Sequence, residues 1–260
     1  MRYTTLFTLV FFFLGVSATN GQDLSNYKKE VFSKGKQKMP YRILLPKDFD
    51  ASKTYPFVLI LHGSGERGND NESQLMHGAD LFLKEKVRNK YPAIVVFPQC
   101  AEESYWSNMT MGEFDGKRVF VFNKRGKRTQ AMRMLQKLVK HLRKVYNLDA
   151  DRMYVGGLSM GGMGAFEVVR RKPKMFAAAF PICGGANPLT GKKLKRTNWW
   201  VFHGEEDGVV PISASKVMVE ALVKKNIPVR YSWYSKVGHD SWHNAFAEPE
   251  LLPWLFSQNK

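Results

Sequence analysis

The chain has 260 residues, 44% of them hydrophobic and 24% charged, with no low-complexity tract or internal repeat. It can bury a full core, and disorder is excluded as the default reading. The formal net charge of +17 attracts acidic partners such as uronate-bearing polysaccharide, anionic lipid or nucleic acid, or simply solvates the surface. Nucleic acid is disfavoured, because no binding motif is present and the cations are spread over several elements.

Residues 1–22 read as a secretory signal peptide. Arg2 precedes an apolar run from Leu6 to Val16, and small and polar residues follow, with cleavage expected between Ala18 and Gln22. The run is too short for a stable span, and no later segment is apolar for long enough to cross a bilayer. The expectation is a secreted or periplasmic protein in which residues 23–260 form one domain.

The stretch from Tyr27 to Pro46 reads as two strands around a turn at Gly35. "YPFVLILHG" is a continuous run of β-formers, as in a strand covered on both faces. "YPAIVVFPQ", "DRMYVGG", "MFAAAFPICGG", "NWWVFHG" and "IPVRYSWY" repeat that character further on. Helical patterns lie between them. Leu135, Leu138, Val139, Leu142 and Val145 follow the spacing of one helix face, with Thr129 as a cap and Asn147 as its end. Residues 213–226 give a second amphipathic helix capped by Ser213, and residues 249–258 a short closing helix. Residues 101–128 are the least regular part and read as an inserted hairpin or flap. Strands alternating with helices predict an α/β architecture: a mostly parallel central sheet with helices on both faces. Cys100 and Cys183 end different strands. Unless those strands are neighbours they stand about 10–14 Å apart, beyond the reach of a disulfide, so two buried thiols are the preferred reading.

Ligand sites in such sheets lie beyond the C-terminal strand ends. After "DRMYVGG" comes Ser159 in Gly157-Leu158-Ser159-Met160-Gly161, the G-x-S-x-G pattern. A strand that turns this sharply into a helix lifts the hydroxyl above the sheet, and the glycines permit the close packing. A serine nucleophile needs a base, and the base needs an orienting carboxylate. His62 and His203 end strands and read as structural, His141 lies on a basic helix, and His77 lies in a predicted helix. His239 follows the last strand in "VGHDSW" and is the favoured base, with His243 as the alternative. Asp207 lies deepest in "FHGEEDGVVP" and is the candidate acid. The amides of Met160 and of Ser64, in "LHGSGERG", are the candidate donors to an oxyanion. Glu66 and Arg67 are expected to brace that loop by a salt bridge. Trp106, Trp200 and Trp242 are candidates for an aromatic platform under sugar or phenolic rings, or else packing residues. No His/Cys/Asp cluster has metal-ligand spacing, so neither metal nor cofactor is expected.

Together, "YPFVLILHGSGERGND", "VVFPQC", "LDADRMYVGGLSMGG", "FPICGG", "VFHGEEDGVVP" and "VGHDSW…PELLPWLF" resemble the phospholipase/carboxylesterase-like branch of the α/β-hydrolases over residues 41–257. That branch includes secreted feruloyl- and acetyl-esterase-like proteins. The resemblance implies the α/β-hydrolase fold and serine hydrolase chemistry. Ser159, Asp207 and His239 fall on the family's triad positions, and Met160 and Ser64 on its oxyanion positions. Gly156 stands where a threonine is frequent, and the basic stretch between Trp106 and Lys137 is atypical. The expected function is cleavage of acyl or feruloyl esters on carbohydrate through an acyl-enzyme. The alternatives are a short-peptide or aminopeptidase-like hydrolase and a non-catalytic binder of acidic glycans.

Overall fold

The computed structural model describes residues 23–260, so the leader expected at residues 1–22 lies outside the described residues. Eight strands form one sheet in the order β1-β2-β4-β3-β7-β8-β9-β10. Antiparallel β1 (Lys28–Lys34) and β2 (Gln37–Leu44) form its edge, and β2 runs antiparallel to β4 (Ile94–Pro98). From there β4, β3 (Tyr55–Leu61), β7 (Leu148–Leu158), β8 (Ala178–Ile182), β9 (Asn198–Gly204) and β10 (Val229–Tyr234) are parallel. Every residue of β3, β4 and β8 is buried, the physical reason these segments read as unbroken apolar runs.

Two cores lie on the two faces. One face packs against α3 (Gln130–Val145), α4 (Met160–Arg171) and α5 (Ser213–Val223) through Leu135, Leu138, Phe166, Val168, Met218 and Leu222. The other packs against α1 (Ala79–Leu83), α6 (Trp242–Ala247) and α7 (Leu251–Ser257) through Phe82, Ala245, Leu251, Leu252 and Leu255. After α1 the chain continues as α2 (Glu85–Lys90), whose Val87 packs against this second core. Full burial of each large apolar side chain contributes about 1.5–3 kcal/mol, so the helix stripes rather than helix propensity hold these layers. The mostly parallel sheet covered on both faces is the expected architecture, an α/β-hydrolase fold. Among the described residues no helix is long and apolar enough to cross a membrane.

Thr129 caps α3 as expected, its Oγ1 accepting from the Met132 amide at 3.1 Å. The C-cap of that helix is Tyr146, one residue before the expected Asn147. Ser213 does not cap α5 but is its first residue; Ile212 takes the cap position in helical dihedrals, after a tight turn from Pro211. His77 precedes α1 instead of lying inside it. The inserted segment is a separate two-stranded hairpin, β5 (Met109–Phe114) and β6 (Lys117–Phe122). Cys100 and Cys183 are free and buried in opposite cores.

The tightest backbone contact lies where α4 starts. A Cβ at Gly161 would come within 1.9 Å of the Leu61 carbonyl oxygen at the end of β3. At Gly156 the room a larger residue would need is filled by Phe180, whose ring comes within 2.1 Å of a built Cβ. Gly161→Ala therefore has no rotamer escape and should lose about 3 kcal/mol or more in urea unfolding. Gly65→Ala, where a Cβ meets nothing within 4 Å, should stay within about 0.5 kcal/mol of the parent. Equal stability of the two variants would refute this account.

Candidate active site

Ser159 sits between β7 and α4 with φ 52 and ψ −117. A positive φ at a non-glycine residue costs on the order of 1–3 kcal/mol and persists only where neighbours impose it. Here the Ser159 amide donates to the Ile182 carbonyl at 2.9 Å, and its own carbonyl accepts from the Met163 amide at 3.0 Å. The residue is thus fixed between β8 and the first turn of α4. Its side chain stands at the positive end of that helix.

Three loops that follow β7, β9 and β10 converge. His239 Nε2 lies 2.9 Å from Ser159 Oγ, and His239 Nδ1 lies 2.8 Å from Asp207 Oδ2. Since the carboxylate only accepts, Nδ1 carries the proton and the Nε2 lone pair faces the hydroxyl. The Asp207 side chain is fully buried. Its Oδ1 accepts from the amides of Val209 and Val210 at 2.8 and 2.9 Å. Its Oδ2 also lies 3.1 Å from His203 Nε2. Burial alone would raise this carboxyl. Hydrogen bonds from His203 and His239 and from the Val210 and Val209 amides outweigh it and hold the group well below the usual carboxylate range.

His203, read as structural from sequence, is buried beside this carboxylate, with Nε2 2.9 Å from the Val210 carbonyl and Nδ1 2.7 Å from Ser215 Oγ. Sequence reading missed its contact with Asp207; the i, i+4 spacing of the two across a strand end was the available signal. His62 is also buried, and burial brings it down to about 4. Its Nε2 accepts from the Cys100 amide at 2.9 Å, and Nδ1 lies 2.6 Å from the Gly63 carbonyl, so the neutral ring pins the loop that follows β3.

Ser64 and Met160 line one cleft with Ser159. This cleft of about 380 Å³ is walled by Met109, Met111 and Phe120 of the hairpin, by Met163, Val209 and Val210, and by Tyr105, Arg67 and Glu113 at its polar side. The Arg67 guanidinium lies 4.7 Å from the centre of the Tyr105 ring. No salt bridge joins Arg67 to Glu66, contrary to expectation. Arg67 instead donates to the carbonyls of Ser64 and Glu102 at 2.9 and 2.6 Å, and Glu66 faces His77 at 3.8 Å. The loop is braced by backbone acceptors because the carboxylate points inward.

The three tryptophans do not form a platform. Trp106 is buried against His62 and donates to its carbonyl at 3.2 Å. Trp200 lies in the opposite core beneath Arg230, whose guanidinium sits 3.8 Å from the ring centre. Their size and flatness serve packing at strand ends. Trp242 is half-buried and packs edge-on against the His239 ring at 5.4 Å between centroids. His243 faces His77 rather than Ser159. Among the described residues, one group could hold a metal: Cys183, Asp207 and His239, with ligand atoms within 4.8 Å of one another. Those Asp and His atoms are already engaged with each other and with Ser159, and burial pushes the Cys183 thiol up, away from the thiolate a metal needs.

Comparison with known proteins places the chain among esterases. A family model described as "Putative esterase" matches residues 33–227. A bifunctional acetylxylan esterase/xylanase of Neocallimastix patriciarum is 26% identical over 156 residues, 60% of this chain and 20% of that protein. A crystallised thermostable esterase is 34% identical with a TM-score of 0.82, covering 91% of this chain and 64% of its own. The feruloyl esterase module from Clostridium thermocellum shares the fold at 17% identity and a TM-score of 0.63, covering 88% of this chain and 87% of its own. The chain thus spans less than two thirds of the length of the first two.

A carboxylate whose folded pKa is depressed adds stability that is present above its unfolded value, about 3.9, and lost as pH falls through the folded one. Unfolding by urea should therefore become easier below about pH 4. Asp207→Asn should be less stable at neutral pH and show a smaller acid-side fall. An unchanged pH slope in the variant would remove Asp207 from this account.

Proposed function

The chain belongs to the esterase family whose model spans residues 33–227, and on that premise we propose that it is a serine hydrolase cleaving carboxylic esters through an acyl-enzyme. The observation that carries this reading is the line from Ser159 Oγ through His239 to Asp207, with both steps within hydrogen-bond reach.

Ser159 Oγ attacks the ester carbonyl while His239 Nε2 takes its proton. Asp207 keeps Nδ1 protonated and stabilises the imidazolium that forms. The carbonyl oxygen, now an anion, is received by the amides of Met160 and Ser64. Collapse breaks the bond to the leaving oxygen, to which Nε2 returns the proton, and the alcohol departs. Water then repeats the sequence on the acyl-serine, releasing the acid and restoring the hydroxyl. His203 acts through Asp207: its Nε2–H, which also faces the Val210 carbonyl, holds Oδ2 toward His239.

The cleft supports an acyl group of some size. Methionines at four positions form a soft wall that adapts to different shapes. The relative named as an acetylxylan esterase/xylanase supports esters on carbohydrate as the substrate class. Residues 1–22 direct export, and residues 23–260 form the catalytic domain.

Ser159→Ala should lower hydrolysis of p-nitrophenyl acetate by at least ~10³-fold while the folded circular dichroism spectrum persists. Turnover retained in that variant would show that another group is the nucleophile. A panel of acetylated and feruloylated oligosaccharides, read as kcat/KM, ranks the acyl group.

A further inference from the structure

A row of hollows that share wall residues leads away from the Ser159 cleft. Phe120 lines both the cleft and a neighbouring groove of about 470 Å³ walled by Val121, Pro188, Pro211 and Val217. Pro188 also borders a trough of about 610 Å³ whose walls carry Lys124, Arg125, Lys192, Lys193, Lys224 and Lys225. Arg170 and Lys193 extend it into a further hollow of about 340 Å³.

These six cations come from three separate segments: the loop after β6, the 3-10 helix Pro188–Lys193, and the residues just past α5. Among the described residues no carboxylate pairs with any of them, and Glu167 is already held by Arg170 and Arg171. Cations favour helix C-termini, which accounts for a lysine at each end but not for their convergence with Lys124 and Arg125. The trough is also built. The Lys225 stem lies against Gly191, where a Cβ would come within 2.9 Å of its Cδ. Arg170 donates to the Lys124 carbonyl at 3.1 Å, fixing the hairpin end to α4. Like charges gathered without partners repel one another, a cost that an anionic ligand removes.

We propose that this trough holds a run of uronate residues on the same polysaccharide that presents its ester to Ser159. Carboxylates repeated along a sugar chain meet lysine ammonium groups as point charges, and the apolar middle of the row suits the faces of sugar rings. No aromatic side chain lines the trough, so it lacks the stacking surface of single-stranded nucleic-acid sites. Its concave form fits a chain lying along it better than a flat lipid surface. The inference rests on the esterase reading for the substrate, whereas the trough's affinity is measurable with Ser159 removed.

The full chain carrying Ser159→Ala is titrated with polygalacturonate, neutral xylan, single-stranded DNA and phosphatidylglycerol vesicles. Polygalacturonate should bind tightest and weaken with salt. Lys192→Gln, Lys193→Gln, Lys224→Gln and Lys225→Gln together should lower its affinity about tenfold, and arginine at the same four positions should restore it. With Ser159 intact, the four glutamines should raise KM on O-acetylated polygalacturonate while leaving kcat and p-nitrophenyl acetate turnover unchanged. Equal affinity for neutral xylan, tighter binding of DNA or vesicles, or indifference to the four substitutions overturns the proposal. An intact protein inert on every ester sinks the esterase reading instead, and the titration still decides the trough.

Discussion

The backbone contact between α4 and the end of β3 governs the rest of the molecule. Because residue 161 has no Cβ, the first turn of α4 lies directly on the Leu61 carbonyl. The chain must then reverse within one residue after β7, and Ser159 takes the strained φ of 52. A helix set farther from the sheet would relax that turn and lower the hydroxyl into the strand end, out of reach of His239. The strain is local, but the burial of β3, β7 and β8 around it supplies far more than the few kcal/mol it costs.

Above that turn the governing problem is one buried negative charge. A carboxylate removed from water is costly unless its lone pairs are filled. Asp207 solves this with two backbone amides on Oδ1 and two imidazoles on Oδ2. Only one of those imidazoles reaches Ser159. The other is anchored by Ser215 and by the Val210 carbonyl. It offers a fixed donor, so the acid's orientation does not depend on the ring that would carry protons. The loop after β9 thereby holds the carboxylate by its own amides and by the strand before it.

Much of this was legible in the sequence for a physical reason. Parallel strands buried on both faces leave continuous apolar runs, and Ser159 and Asp207 each follow such a run, while His239 follows the half-exposed edge strand β10. The stripe of α3 from Leu135 to Leu142 and its Thr129 cap were equally plain, since both depend on local spacing, whereas Val145 at the end of the same spacing is exposed. What escaped depends on the direction of side chains after folding. Trp106 and Trp200 follow or occupy strands near the site, yet their rings turn inward. Glu66 and Arg67 are adjacent in sequence but point to opposite sides of their loop. The cleft-lining Met109 and Met111 alternate on one face of a strand, a period of two that the polar residues around them conceal.

The wall of the cleft is also its least self-sufficient part. A lone two-stranded hairpin is marginally stable in water, and β5 and β6 expose Met111, Phe114, Val119 and Val121. What holds it is a set of side-chain donors from elsewhere reaching its backbone carbonyls. Asn187 donates to Phe122 at 2.8 Å, Arg170 to Lys124 at 3.1 Å and Arg171 to Gly126 at 3.1 Å. All three anchors act on the end of β6 and the loop after it, while the tip at Asp115 and Gly116 has none among the described residues. The base of the wall is therefore fixed to the same helix that orients Ser159, and the tip has no such anchor. The shape of the cleft near the hydroxyl is set by α4, and its outer rim by the hairpin.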